Sequence, residues 1–181
     1  MTLPRLGCCL GVLAGLLLAW ASPTPVTAGG GCAHASAEPS EASLPEFRRA
    51  ITCLINRERA TKGLGRVKTI ARIHRVAQAH TDLMLRRDCF EHLCGDERPL
   101  KRRLKQEGYP RAGKFGFAEN LGYEATPREM MDRFVASPSH YSTLRKAKFD
   151  DIGVGTGRGS PMPGERDNST ITYTVTLGFG H

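Results

Sequence analysis

The sequence predicts an α+β domain with helices packed on a small antiparallel sheet. Two patterns carry that prediction. From Phe47 to Leu144 apolar residues recur at three- and four-residue steps, and from Ile152 to Leu177 they alternate every second residue. Size agrees: 181 residues, 40% of them hydrophobic, supply one core and about one domain. A chain disordered throughout, a collagen-like repeat and a polytopic membrane protein are excluded by the same figures.

The only long apolar stretch lies at the start. Arg5 gives a positive n-region, Leu6 to Ala21 is uncharged and mostly apolar, and Pro23 and Pro25 follow, the pattern of a secretory signal. The stretch falls short of the ~20 residues a membrane span needs. Of two small-residue cleavage patterns, Ala19-Trp20-Ala21 and Val26-Thr27-Ala28, the second is favoured because it lies past the prolines. Residues 1–28 are therefore expected to be a signal peptide and the protein to be secreted. Removing them takes Arg5, Cys8 and Cys9, leaving four cysteines and a net charge of about +7. Four cysteines in an exported chain make two disulfides most simply, with three possible pairings. Cys89 and Cys94 are close enough to close a small loop, which leaves Cys32 for Cys53. A metal site is the rival reading, but no Cys-x-x-Cys pair exists.

The elements follow in order. Residues 29–44, rich in Gly, Ala, Ser and Pro, read as a flexible arm that is held if Cys32 is bridged. The domain then spans 45–181. A first helix begins near Pro45 with Phe47, Ala50, Ile51, Leu54 and Ile55 on one face, and Gly63 and Gly65 end it. A second runs from about Thr69 to Arg87, with Ile73, Val76, Ala77, His80, Leu83 and Met84 aligned. Asp88 to Asp96 is a polar, cysteine-bearing loop, and a short basic helix follows from about Pro99 to Glu107. After a loop containing Gly and Phe, Thr126-Pro127-Arg128-Glu129 forms a capping box. Ser137-Pro138 opens another short helix. Ile152-Gly153-Val154-Gly155 and the alternating Ile171 to Leu177 are strands joined by a long loop.

Several signatures are absent. Gly153-Val154-Gly155-Thr156-Gly157 precedes no helical pattern and lacks a phosphate-loop lysine, so it reads as hairpin backbone. No His-Glu-x-x-His or Gly-x-Ser-x-Gly occurs. The basic stretch Lys101, Arg102, Arg103 and Lys105 reads first as solvated helix surface, and second as a face for lipid or anionic cell-envelope polymers. Nucleic acid is not expected, since no aromatic platform is interleaved with the basic residues. Asn56 and Arg59 are expected to bond neighbouring loops, and His80 to be packed. His92, Glu119 and His140 remain as candidates, because neutral imidazoles and a carboxylate serve both as zinc ligands and as general acids and bases.

At these residues the sequence resembles the CAP superfamily of cysteine-rich secretory, antigen 5 and pathogenesis-related proteins, in particular its compact bacterial secreted members. Six short pieces occur in register: Leu54-Ile55-Asn56-Arg57-Glu58-Arg59 with Gly63-Leu64, Ala77-Gln78-Ala79-His80 with Met84, and Phe90-Glu91-His92. Ala118-Glu119-Asn120-Leu121, Ser137-Pro138-Ser139-His140 and Phe149-Asp150-Asp151-Ile152-Gly153-Val154-Gly155 complete the set. The resemblance implies an α-β-α sandwich whose cleft gathers His92, Glu119 and His140, able to take Zn²⁺ or another divalent metal. A fourth glutamate of many eukaryotic relatives is missing from Met130-Met131-Asp132-Arg133-Phe134-Val135-Ala136, where Phe134 also replaces the usual tryptophan. The function expected is an extracellular binding module, monomeric and without a required cofactor; a metal-assisted exported hydrolase is the alternative, and a surface-interaction protein the third.

Overall fold

The computed structural model describes residue 1 and residues 31–110, 113–165 and 168–180; the expected signal peptide lies outside the described residues, apart from Met1. The chain order is α1 (Leu44–Thr61), β1 (Lys68–Thr69), α2 (Ala71–Arg87), α3 (Leu100–Gln106), β2 (Gly116–Glu124), α4 (Pro127–Ala136), α5 (Pro138–Leu144), β3 (Asp151–Arg158) and β4 (Ile171–Phe179). The α+β class holds, in three layers. α1, α4 and α5 cover one face of the sheet, while α2 and α3 cover the other.

The sheet is mixed rather than purely antiparallel, in the order β1-β3-β4-β2. β3 and β4 pair antiparallel with Val154 opposite Val175, β2 adds antiparallel with Glu119 opposite Thr176, and β1 adds parallel to β3 through two residues. The sequence pattern marks neither β1 nor β2 as a strand. β1 is too short to show a period. In β2 the alternation of Phe117, Leu121 and Tyr123 with Ala118, Asn120 and Gly122 is interrupted at Glu119, a side chain spent on the site instead of the core.

Alternation in β3 and β4 sorts the two faces. Ile152, Val154, Ile171, Tyr173, Val175 and Leu177 enter the main core with Phe47, Ile51, Met130 and Phe134, all essentially unexposed. Thr172, Thr174 and Thr176 face the other way and are also fully buried, Thr174 accepting a hydrogen bond from Thr81 of α2 at 2.8 Å. Glycine is required opposite α2. A Cβ at Gly153 would lie 2.3 Å from the His74 backbone nitrogen, and one at Gly155 2.3 Å from the Ala77 carbonyl oxygen. The glycine run is thus strand backbone that lets a helix lie directly on it.

Local signals place the helices. Ser43 and Glu46 cap α1 reciprocally, Thr126 and Glu129 do the same for α4, and prolines occupy first-turn positions in α1, α4 and α5. Asn56 brackets Val67, donating to its carbonyl and accepting from its amide. Arg59, fully buried, donates to the carbonyls of Gly65, Leu144, Lys146 and Phe149 at 2.7–3.2 Å, so the loop after α5 is tied to α1. Cys32–Cys53 and Cys89–Cys94 are bridged, with Cα–Cα distances of 5.7 and 6.0 Å. The first bridge holds the arm, whose Ala35 and Ala42 join the core. Among the described residues no helix is long and apolar enough to cross a membrane.

Candidate functional site

Four segments meet at the β2 end of the sheet: α2, the loop after it, α3 and β2. The disulfide-closed loop after α2 presents His92, whose side chain is 62% exposed, while β2 holds Glu119 at 3% exposure. His92 Nδ1 lies 3.0 Å from Glu119 Oε1, and a carboxylate only accepts, so Nδ1 carries the shared proton. Beneath them Arg103 of α3 and His80 of α2 are buried. Arg103 Nη2 donates to the His92 carbonyl at 3.2 Å and reaches Glu119 Oε1 at 3.5 Å, while its Nη1 is 3.2 Å from Glu97 Oε1. Glu97 also accepts from His80 Nδ1 at 2.9 Å, and His80 Nε2 faces Glu119 at 3.9 Å.

The result is a five-membered chain of imidazole, carboxylate, guanidinium, carboxylate and imidazole running His80, Glu97, Arg103, Glu119, His92. Its carboxylates would be costly to bury alone and are compensated here by Arg103 and by the imidazoles. Glu119 raises the His92 pKa above its ordinary value, chiefly through their hydrogen bond, against the opposing effects of burial and the Arg103 charge. Sequence reasoning missed Glu97 and placed Arg103 with the solvated basic face. Lys101, Arg102 and Lys105 are indeed exposed, but Arg103 is one helical position further round, next to the buried Leu104.

His140 is held apart from this chain. It sits in the first turn of α5, its backbone carbonyl accepting from Asn120 Nδ2 at 3.0 Å and its ring 5.4 Å, edge-on, from that of Phe134. Its Nδ1 is buried and has no hydrogen-bond partner among the described residues. Burial, and secondly the charge of His92, lower its pKa. Each histidine lines its own cavity along β2. One of about 320 Å³ is formed by His140 with Phe90, Leu121, Tyr123, Met130 and Arg133; the other, about 380 Å³, by His92 with Leu93, Leu100, Phe117 and Glu119. Gly122 belongs to the first, and a Cβ there would meet Met130 Sδ at 2.4 Å.

The donor set does not fit a metal in this arrangement. Among the described residues no group of three or more His, Cys, Asp or Glu side chains is placed to hold an ion. Arg103 already brings a cation to within 3.5 Å of Glu119, where a metal would be repelled.

Residues 53–174 match the CAP domain of the Cysteine-rich secretory protein family, and the chain belongs to that family. Its fold is shared with an outer surface protein from Borrelia burgdorferi, at 16% identity and a TM-score of 0.65, covering 77% of this chain and 97% of that one. It is also similar to an extracellular protein containing a SCP domain from Bacillus anthracis, at 19% identity and a TM-score of 0.60, covering 74% of this chain and 40% of that larger one. No curated protein sequence matches the chain.

Proposed function

We propose that the protein is an extracellular binding module, and that the His140 cavity receives a small ligand with an apolar body and one hydrogen-bonding head. The observation that carries this is the buried Nδ1 of His140, unpartnered among the described residues, on a residue lining a cavity that Phe90, Leu121, Tyr123 and Met130 make apolar on one side and Glu124, Arg133 and Thr170 make polar on the other. A buried polar atom without a partner costs about 1–3 kcal/mol, which a ligand hydrogen bond offsets. The volume lies at the lower end of the range for ligand pockets, about 300–1,000 Å³. Secretion is supported by the two disulfides and by the apolar leader pattern of residues 6–21.

The charged chain beside the cavity acts as a frame. By fixing the 88–96 loop to β2 through Glu119 and to α3 through Arg103, it keeps Phe90 against Tyr123, whose rings stand edge-to-face at 5.2 Å. Titration with the fluorescent probe anilinonaphthalene sulfonate tests the reading. Leu121→Trp fills the cavity and should abolish saturable binding, while His140→Leu keeps the cavity apolar and should weaken binding about tenfold, the loss of one good hydrogen bond. Unchanged binding in both folded variants would sink it.

A further inference from the structure

At the β1 end of the sheet, opposite the histidines, α1, the segment after it and β1 enclose a cavity of about 400 Å³. Arg48, Arg49 and Arg66 line it together with Thr52, Asn56 and Thr69, and no carboxylate does. Buried or bridging arginines elsewhere meet acids or carbonyls: Arg75 pairs with Glu107 and Arg87 with Asp96, each at 2.7 Å, Arg103 pairs with Glu97 and Glu119, and Arg59 caps four backbone carbonyls. Here, among the described residues, neither Arg48 nor Arg66 has a carboxylate within ion-pair distance, and Arg49 reaches only Glu46, at 4.0 Å.

Arg48 is partly buried and aimed. Its Nη1 is 3.0 Å from His74 Nε2, and His74 Nδ1 is 2.7 Å from the Val154 carbonyl. The carbonyl must accept, so Nδ1 bears the hydrogen, Nε2 is the bare acceptor and His74 is neutral. His74 therefore orients Arg48 without supplying a counter-charge. Burial, and then the charge of Arg49, hold the Arg48 pKa below its ordinary value. Gathering guanidiniums in one concavity with no anion costs free energy that a bound anion offsets, and their planar forks match a tetrahedral oxyanion bidentately.

We propose that this cavity is a phosphate-binding site, separate from the His140 cavity. The phosphate could be supplied free or as the headgroup of an anionic lipid, since Arg49 and Arg66 are exposed at its mouth. Two arms distinguish these sources: calorimetric titration with inorganic phosphate, and co-sedimentation with phosphatidylcholine vesicles with and without phosphatidylglycerol. The variant Arg48→Gln/Arg66→Gln should weaken binding at least about tenfold, while Lys101→Gln/Arg102→Gln, which removes two exposed charges from α3, should leave it within about twofold. Arg66→Gln alone, at an exposed position, covers the case in which loss of the Arg48–His74 bond disturbs folding. Saturable phosphate binding identifies a free ligand, and phosphatidylglycerol-dependent sedimentation alone identifies the headgroup. No binding in either arm, or equal loss in the α1 and α3 variants, overturns the proposal.

Discussion

His92 and His140 belong to the same end of the sheet yet titrate in opposite directions from the ordinary imidazole value of 6.5. Glu119 favours the charged form of His92, whereas burial and the His92 charge disfavour that of His140. The signs for stability follow. His92, with its folded pKa raised, contributes stability that is complete below pH 6.5 and lost as pH rises through the folded value. His140, with its folded pKa lowered, binds more protons in the unfolded chain, so stability falls as pH drops below 6.5; His74 acts likewise. Chemical-shift titration of the histidine side chains should give a midpoint above 6.5 for His92 and below it for His140; the reverse order would refute the assigned environments. Arg59 matters in another way. Replacing it with Met leaves several buried carbonyls without their donor, and urea unfolding should report a loss of roughly 3 kcal/mol or more.

Elements whose periodicity reflects packing alone were legible in the sequence. α1, α2 and α4 declared themselves by their apolar faces, and Thr126 with Glu129 marked the start of α4; β4 was legible because its alternation is strict. β2 was not legible as a strand, for Glu119 and Asn120 are polar residues committed to His92 and to the His140 carbonyl. The two disulfides could be inferred from chain economy. The charged chain could not, because Glu97 and Arg103 lie in a loop and a helix that the sequence shows only as polar, and ion pairs between distant segments leave no period. Gly155 is the sharpest element-scale test. Gly155→Ala drives a Cβ against the backbone of α2, which cannot move aside as a flexible side chain would, so thermal or urea unfolding should show a loss of about 3 kcal/mol. A loss under about 0.5 kcal/mol would mean that α2 does not lie on β3 as described.

For the whole molecule, the sheet is covered on both faces, and its two ends carry different chemistry. The β2 end offers two cavities of mixed apolar and polar lining beside the chain of Glu97, Arg103 and Glu119 with its flanking imidazoles, and the β1 end offers a cavity lined by three arginines and no carboxylate. The net charge of +8 does not by itself say which surface carries it. Part of the positive charge is spent in ion pairs and carbonyl caps such as Arg103 and Arg59, and the three arginines of the β1 end come from α1 and the segment that follows it, not from the α3 run that stands out in the sequence.

In the proposed function His140, not a metal held by His92, Glu119 and His140 together, supplies the polar contact of the ligand cavity. Histidine-selective ¹⁵N spectra recorded during separate titrations with decanoate and with zinc test it most directly. Decanoate should shift the His140 side-chain signals saturably while those of His74 stay in place, and zinc should produce no stoichiometric change shared by His92 and His140. A one-to-one zinc complex that moves both histidines at once, with no response of His140 to decanoate, would contradict it.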